Sequence, residues 1–362
     1  MSVGRLLCGV VLGCAVLSGS LKADTVSTKA RTVTKLAEGV YEIRHPDAPD
    51  EFPQGNTTVI IGSNETLVVD SCYLPSSARQ DIAQIRQWSK VPVRYLVNTH
   101  WHFDHTMGNG AYAEAYPGLK IVAQTETAKQ IAGYNPGWFE RYPKRTEEFK
   151  QRLHSGKDAD GKQLTEDDLK QLRDTVPGRE PVWAEFSKIV DKTPDVTFER
   201  ELRLDLGGRE VRVMHLGRGN TAGDAVVYLP KEKILITGDL VDHPVPYHFG
   251  GYPREQIETL RRLMAIDAQT IVPGHGDVLR DKAYIGRMIE FIDAVTSRVS
   301  QEVHRLGAGQ RNLEAVKKAV LEKLDVEEFR KQFAGDAKED RDFFDGTLTG
   351  LVTAAHAEVW GR

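Results

Sequence analysis

The sequence predicts an α/β layered fold with a helical C-terminal region, and three observations carry that prediction. Short apolar strands alternate with amphipathic helices between Leu67 and Ala132, the order of a layered α/β domain. Turns bearing histidine or aspartate follow apolar strands at three separated places, ending in His100–His105, Asp239 and His275. Beyond Asp281 the pattern is helical throughout, with Ile285, Met288, Ile289, Ile292, Val295, Val299 and Val303 forming one apolar stripe. A chain of 362 residues can bury a large core, as one large domain or two. Its net charge of −4 and the lack of a basic tract exclude nucleic acid as an expected partner.

The first 23 residues read as an export signal: Arg5, then the apolar run Leu6 to Leu17, then the small-residue stretch Ser18 to Ala23. That run is too short for a membrane span. A periplasmic or secreted location is therefore expected, with lipidation at Cys14 in Val11-Leu12-Gly13-Cys14 as the alternative. Cleavage near Ala23 would leave Cys72 as the single cysteine, so no internal disulfide is expected.

Residues 24–280 then carry the layered domain. Val40 to Ile43 alternates, Thr57 to Ile61 is β-branched, and Leu67 to Val69 reads as a buried strand ending at Asp70. Ser77 to Ser89 has Ile82, Ile85 and Trp88 at helical spacing; Val93 to Val97 and Ile121 to Ala123 are strands, and Thr125 to Ala132 a short helix. From about Gly133 to Pro194 the chain is charged and lacks long apolar runs. It reads as a helical insertion, with helices around Phe139–Leu153 and Thr165–Leu172, placed to overhang a site. Tyr134 to Phe139 has the aromatic content of a substrate-contacting loop, Trp138 in particular, and packing of the insertion onto the core is the competing expectation. Asp158 to Gly161 is not a calcium loop, because Gly156 stands where the first acidic ligand belongs.

Strands resume at Val196–Phe198, Leu202–Leu206 and Val211–Met214, with Gly207-Gly208 as a hairpin turn. Ala225–Leu229, Ile234–Ile236 and Thr270–Val272 continue the sheet, and Arg254 to Ile266 reads as a helix between the last two. Residues 281–362 form the helical region, which either packs on the core or serves as a dimer interface; the oligomeric state stays open.

The chemistry concentrates in Asn98-Thr99-His100-Trp101-His102-Phe103-Asp104-His105. His100, His102, Asp104 and His105 are strong metal ligands within six residues, and imidazole with carboxylate suits zinc, with iron or manganese as lesser options. In an extended turn His100, His102 and Asp104 share a face that His105 does not, so one loop can serve two ions.

This loop resembles the signature of the metallo-β-lactamase superfamily. Leu67-Val68-Val69-Asp70, Gly219-Asn220-Thr221-Ala222-Gly223-Asp224, Thr237-Gly238-Asp239 and Val272-Pro273-Gly274-His275-Gly276 follow in that family's order. The resemblance spans about Val33 to Asp277 apart from the insertion, and it implies a four-layer αββα sandwich. It further implies one metal site of Asp104, His105 and His275, and a second of His100 and His102, bridged by Asp239, with Asp70 supporting the loop. The family's remaining ligand is a histidine where this chain has Asn220. An amide oxygen is a poor substitute for imidazole, so a firm and a weaker ion are expected, with His215 as an alternative donor or a supporting residue.

The resemblance makes hydrolysis the expected reaction. Zinc lowers the pKa of bound water to about 7, and Asp104 is the catalytic residue expected to orient it and pass its proton on. The leading expectation is cleavage of an acyl bond in a small molecule: β-lactam, lactone, thioester or a related amide. Phosphoester or sulfate ester hydrolysis, with Arg218 as the cation, is the alternative, and a metal-binding protein without turnover is the third. His243 and His248 are candidate contacts to substrate or to an oxyanion.

Overall fold

A computed structural model of the chain describes residues 30–248, 250–306 and 312–360. The expected export segment, with Cys8 and Cys14, lies outside the described residues. The first sheet has seven strands in sequential order: β1 (Thr32–Ala37), β2 (Val40–Arg44), β3 (Thr57–Ile61), β4 (Thr66–Val69), β5 (Val93–Asn98), β6 (Lys120–Gln124) and β7 (Val196–Phe198). Pairing is antiparallel as far as β4 and parallel from β4 to β7. The second sheet holds β8 (Glu201–Asp205), β9 (Glu210–Met214), β10 (Val226–Leu229), β11 (Ile234–Gly238) and β12 (Thr270–Pro273), ordered β12-β11-β10-β9-β8. Only its β11–β12 pair is parallel.

The alternation of side chains along each strand builds the layers. Ile60, Leu67, Val69, Val97 and Val122 face inward and meet Val213, Val227, Ile236 and Val272 of the other sheet. Their neighbours Val59, Val68, Leu96 and Ile121 face outward, under α1 (Pro75–Trp88) and α3 (Asn109–Ala115). On the far side Val226, Leu235 and Ile271 pack beneath α6 (Pro253–Met264) and α7 (Ala283–Leu306). The result is the αββα sandwich. Each buried Val, Leu or Ile contributes roughly 1.5–3 kcal/mol, so a one-residue slip in register would exchange two cores for two solvent faces. Gly207 and Gly208 have φ of +91° and +81°, the left-handed pair that a tight hairpin turn requires.

The C-terminal region continues the same core. The stripe of α7 meets α6, α8 (Leu313–Lys323), α9 (Val326–Ala334) and α10 (Lys338–Val359), with Phe291, Phe333 and Phe344 among its buried rings. Among the described residues no helix is long and apolar enough to cross a membrane.

The insertion departs from the sequence expectation. Instead of a short helix ending at Ala132 and a loop through Trp138, α4 runs unbroken over Thr125–Ser155, through Pro136 and Pro143. Likewise α5 (Glu166–Phe186) passes Pro177 and Pro181 rather than ending near Leu172. Proline inside a helix loses a hydrogen bond and costs about 3 kcal/mol, which is why the sequence points to breaks. Packing overrides that cost: Ile131, Asn135, Trp138, Tyr142 and Thr146 are buried at helical spacing, and Trp138 and Tyr142 share a core with Tyr73, Val182 and Phe186. The start of α5 is set by a capping box, Thr165 with Asp168.

Candidate metal centre and its cavity

Parallel pairing brings the donors to one edge of the sandwich. Gly238 pairs with Pro273 in the β11–β12 ladder, so Asp239 and His275 leave the second sheet side by side. Val69 pairs with Val97 in the first sheet, which delivers Asp70 beside the turn that opens at Thr99. The one-turn helix α2 (Phe103–Thr106) then directs Asp104 and His105 inward, both buried.

Four donors converge in one group, Asp104, His105, Asp239 and His275, each offering an atom within 4.8 Å of the others. A second group, His100, His102 and Asp239, meets the same criterion and shares the aspartate. His105 Nε2 lies 3.0 Å from Asp239 Oδ1 and 3.2 Å from His275 Nε2, and His275 Nε2 lies 3.0 Å from Asp104 Oδ2. On the other side His100 Nε2 and His102 Nδ1 stand 3.2 and 3.9 Å from Asp239 Oδ2. Two glycines make the approach feasible. A Cβ on Gly274 would fall 2.0 Å from Asp239 Oδ1, and one on Gly55 2.3 Å from His105 Cε1.

Asp70 holds the turn from behind. Its Oδ1 accepts the Thr99 amide at 2.8 Å, while Oδ2 takes the Thr99 hydroxyl at 2.7 Å and faces His105 Nδ1 at 2.9 Å. That last contact turns His105 Nε2 toward the cluster, the usual role of a carboxylate behind a metal-ligating histidine.

Electrostatics favour a cation here. Burial alone would depress His105, but Asp239, Asp104 and Asp70 around it hold the imidazole well above its ordinary range. Burial would raise Asp239, yet His105, His100 and His275 keep it well below the usual carboxylate range. His100 Nε2 and Asp239 Oδ1 are buried and take part in no hydrogen bond, although partners crowd both. Two buried donor atoms left without a hydrogen bond, in a cluster of carboxylates balanced only by imidazoles, fit a bound divalent cation.

A cavity of about 250 Å³ opens onto this cluster, reached by His102, Asp104, Asp239 and His275. Phe52, Trp101, Phe103, Tyr134, Tyr247 and Phe343 supply its rings. Its described lining contains no lysine or arginine. Burial raises the Tyr247 phenol above its ordinary range, with Asp104 and Asp239 adding to the effect.

Several residues singled out in the sequence lie elsewhere. Trp138 is buried against Tyr73, Tyr142 and Phe186 and does not line this cavity; packing of the insertion, not substrate contact, accounts for it. Arg218 pairs with Glu255 and stacks 4.2 Å from the Tyr252 ring, outside the lining. His243 sits 5.1 Å from the Tyr284 ring, and His248 is buried near Phe291. Neither lines the cavity: His248 packs into the C-terminal core, and His243, part-exposed, also stands 3.9 Å from Asp277 Oδ2. His215 joins neither donor group, its Nδ1 lying 2.7 Å from the Asp224 carbonyl. Asn220 is buried with its amide nitrogen unbonded, in a turn fastened by three contacts from Thr221 to the Asp224 carboxylate.

Other lining residues went unremarked in the sequence. Asp242 is buried at the cavity, and burial with the nearby Asp239 charge raises its carboxyl well above the usual range. It follows Asp239 by three residues, and Tyr247 precedes His248, so both positions are marked by their nearness to sequence-predicted site residues. Phe343 is not, because nothing local marks one ring of α10 as a cavity wall.

The family model described as metallo-beta-lactamase superfamily matches residues 50–275, and the chain belongs to that superfamily. Its members are generally metal-dependent hydrolases. A linear primary-alkylsulfatase from a Pseudomonas species is 24% identical over 269 residues, covering 70% of this chain and 48% of that protein. The lactamase-like protein aptB from Emericella nidulans is 31% identical over 93 residues, 25% of this chain and 29% of that one. The chain thus spans about half, or less, of the length of these relatives. Among solved structures, a metallo-beta-lactamase from Pontibacter korlensis matches with a TM-score of 0.53 at 20% identity, covering 73% of this chain and 99% of that one. The TMB-1 structure matches at 0.51 and 16% identity, over 74% and 98%. At these identities the structures speak for the fold alone.

Proposed function

We propose that the protein is a zinc-dependent hydrolase that cleaves an acyl bond in a small, largely apolar substrate. The carrying observation is the cavity: a metal-ligand cluster at its floor, aromatic walls, and no lysine or arginine in its described lining. A neutral carbonyl suits such a floor, whereas a phosphate or sulfate ester would want a cationic wall.

Asp104, His105, Asp239 and His275 would hold one ion, and His100, His102 and Asp239 a second. A divalent cation bound there would supply Lewis acidity and make a water acidic enough to attack near neutral pH. This chain's residues do the rest. Asp104 lines the cavity beside His275, so its carboxylate is placed to take a proton from the attacking water and return it to the leaving group. Tyr247, protonated at neutral pH, offers its phenol to the developing oxyanion. Phe52, Trp101 and Phe103 exclude solvent around the acyl group.

The second reading, sulfate ester hydrolysis, is favoured by the resemblance to the alkylsulfatase over 70% of this chain. Purified protein with excess zinc, assayed on nitrocefin, a lactone, a thioester, a para-nitrophenyl ester and para-nitrophenyl sulfate, separates the two. Turnover of an acyl substrate that drops by more than about 100-fold in Asp104→Ala is the expected result. Turnover of the sulfate alone would replace the first reading with the second.

A further inference from the structure

The metal donors come from two sheets, and the turns that carry them have no covalent tie to one another. His105 stands on α2 at the edge of the first sheet, and His275 follows β12 in the second. The segment that enters β3, Phe52-Pro53-Gln54-Gly55-Asn56, bonds to both turns.

Asn56 directs all of its donors at the turn that carries His275. Its main-chain N–H donates to the Gly274 carbonyl at 2.7 Å, and its side-chain Nδ2 to the carbonyls of Pro273 and Gly276 at 3.1 and 3.0 Å. Those three carbonyls bracket His275. Two carbonyl oxygens can be met only by an NH2 group, which fixes the orientation of the amide. The residue is buried, so water does not compete for these bonds.

Gly55 meets the other turn. Its amide donates to the Asp104 carbonyl at 3.2 Å, and its backbone lies against the His105 ring. A Cβ added there would fall 2.5 Å from Nδ1 and 2.8 Å from Nε2, as well as on Cε1. Gly55 is itself held from behind. Its carbonyl accepts from His45 Nδ1 at 2.9 Å; His45 Nε2 lies 2.7 Å from Asp81 Oδ2, and Asp81 Oδ1 accepts from Arg31 Nη2 at 2.9 Å. Next to it, Gln54 Oε1 accepts the Leu74 amide at 2.9 Å and Nε2 donates to the Pro46 carbonyl at 2.7 Å. Among the described residues, no hydrogen bond of Gln54, Gly55 or Asn56 reaches His100 or His102.

We propose that Gly55 and Asn56 are positioning residues that set the separation of His105 and His275, and with it the affinity and geometry of the ion held by Asp104, His105 and His275. The role rests on reading these donors as a metal centre, and it is independent of which bond the enzyme cleaves. The physical reason is preorganisation. His105 Nε2 and His275 Nε2 stand 3.2 Å apart, a spacing that suits two imidazoles on one tetrahedral ion. A site whose ligands are already spaced binds an ion without moving a turn, whereas loose turns must be ordered at the expense of affinity. Asp70 orients His105 within the first sheet; Gly55 and Asn56 add the link across to the second. Phe52 and Pro53 line the cavity, so the same segment joins the cavity wall to the ion's ligands.

The test uses the full chain carrying His102→Ala, which takes one imidazole from the second donor group and leaves the first intact. Zinc affinity, by competition with a chelator, and the visible spectrum of the cobalt form are compared with and without Asn56→Ala. Zinc should weaken by roughly 10–100-fold, as for loss of an outer partner, and the cobalt spectrum should shift because His275 meets the ion at a different angle. Asn56→Ser, which keeps one hydroxyl donor, takes its place if the alanine variant does not fold. Gly55→Ala, pressing a Cβ into the His105 ring, should weaken zinc from the other side. Trp138→Ala, destabilised within the insertion, should change neither affinity nor spectrum. Unchanged zinc affinity and cobalt spectrum in the Asn56 and Gly55 variants would overturn the positioning role. So would an equal loss in Trp138→Ala, which would reduce the effect to general stability. A parent chain that takes up neither metal overturns the metal-centre reading itself, and the positioning role with it.

Discussion

The metal centre and the helical insertion beside it are built on different principles. At the metal end the donors sit on turns that leave core strands or on the one-turn helix α2, and Asp70, Gly55 and Gly274 constrain their placement. In the insertion Arg141, Arg145, Arg152 and Arg179 ride on the long helices α4 and α5, each resting on a ring. Chemistry that needs near-exact geometry is tied to the sheets. The helical insertion is held instead by the packing of its rings. Residues of the first kind should therefore fail through metal affinity, and those of the second through stability.

The largest effect expected is on the insertion's core. Trp138→Ala should cost about 3–5 kcal/mol, read by denaturant unfolding, while the metal content of the remaining folded protein stays unchanged. Lost metal in that variant would merge the two regions into one. Asp239→Asn comes next, because the residue serves both donor groups. Metal affinity should fall by more than about 100-fold, beyond the roughly 10–100-fold typical of outer partners, and the metal-free protein should also unfold more readily, because the buried His105 imidazole loses one of its carboxylates. Asp70→Asn should fall within that 10–100-fold range, measured by competition with a chelator. Asn220→His should raise the second ion's affinity by about tenfold, since imidazole replaces an amide; metal analysis after dialysis checks it, and an unchanged stoichiometry would show that this turn never reaches the ions.

The last effect is graded with pH and is small near neutrality. Burial holds His248 down at about 3 from an ordinary 6.5, so the folded state keeps it neutral where the unfolded chain would take a proton. Stability from this source is present above pH 6.5 and is lost as pH falls toward 3. Unfolding midpoints of His248→Gln followed across that window should fall less steeply than those of the parent. Equal slopes would show that the histidine does not titrate with unfolding.

Much of this was open to inspection in the chain itself, and the exceptions are instructive. The signature loop compresses four donors into six residues, and strand alternation in Ile60, Leu67 and Val97 is a local pattern, so both could be read directly. Local pattern misled where packing outweighed propensity. Pro136 and Pro143 point to breaks, yet Trp138 and Tyr142 bury enough surface to carry α4 through both. His243 and His248 looked like site residues because they follow Asp239 closely, but the chain there turns into the C-terminal core.

By itself the sequence determined the two sheets, the donor-bearing turns and their order along the chain, because periodicity and residue chemistry are properties of neighbours. Only the tertiary structure decided that Phe343, Tyr134 and Phe52 would enclose one cavity, and that the arginines of α4 would face a groove beside it. Those placements depend on how helices distant in sequence cross. Packing of whole surfaces, rather than any local signal, sets that crossing.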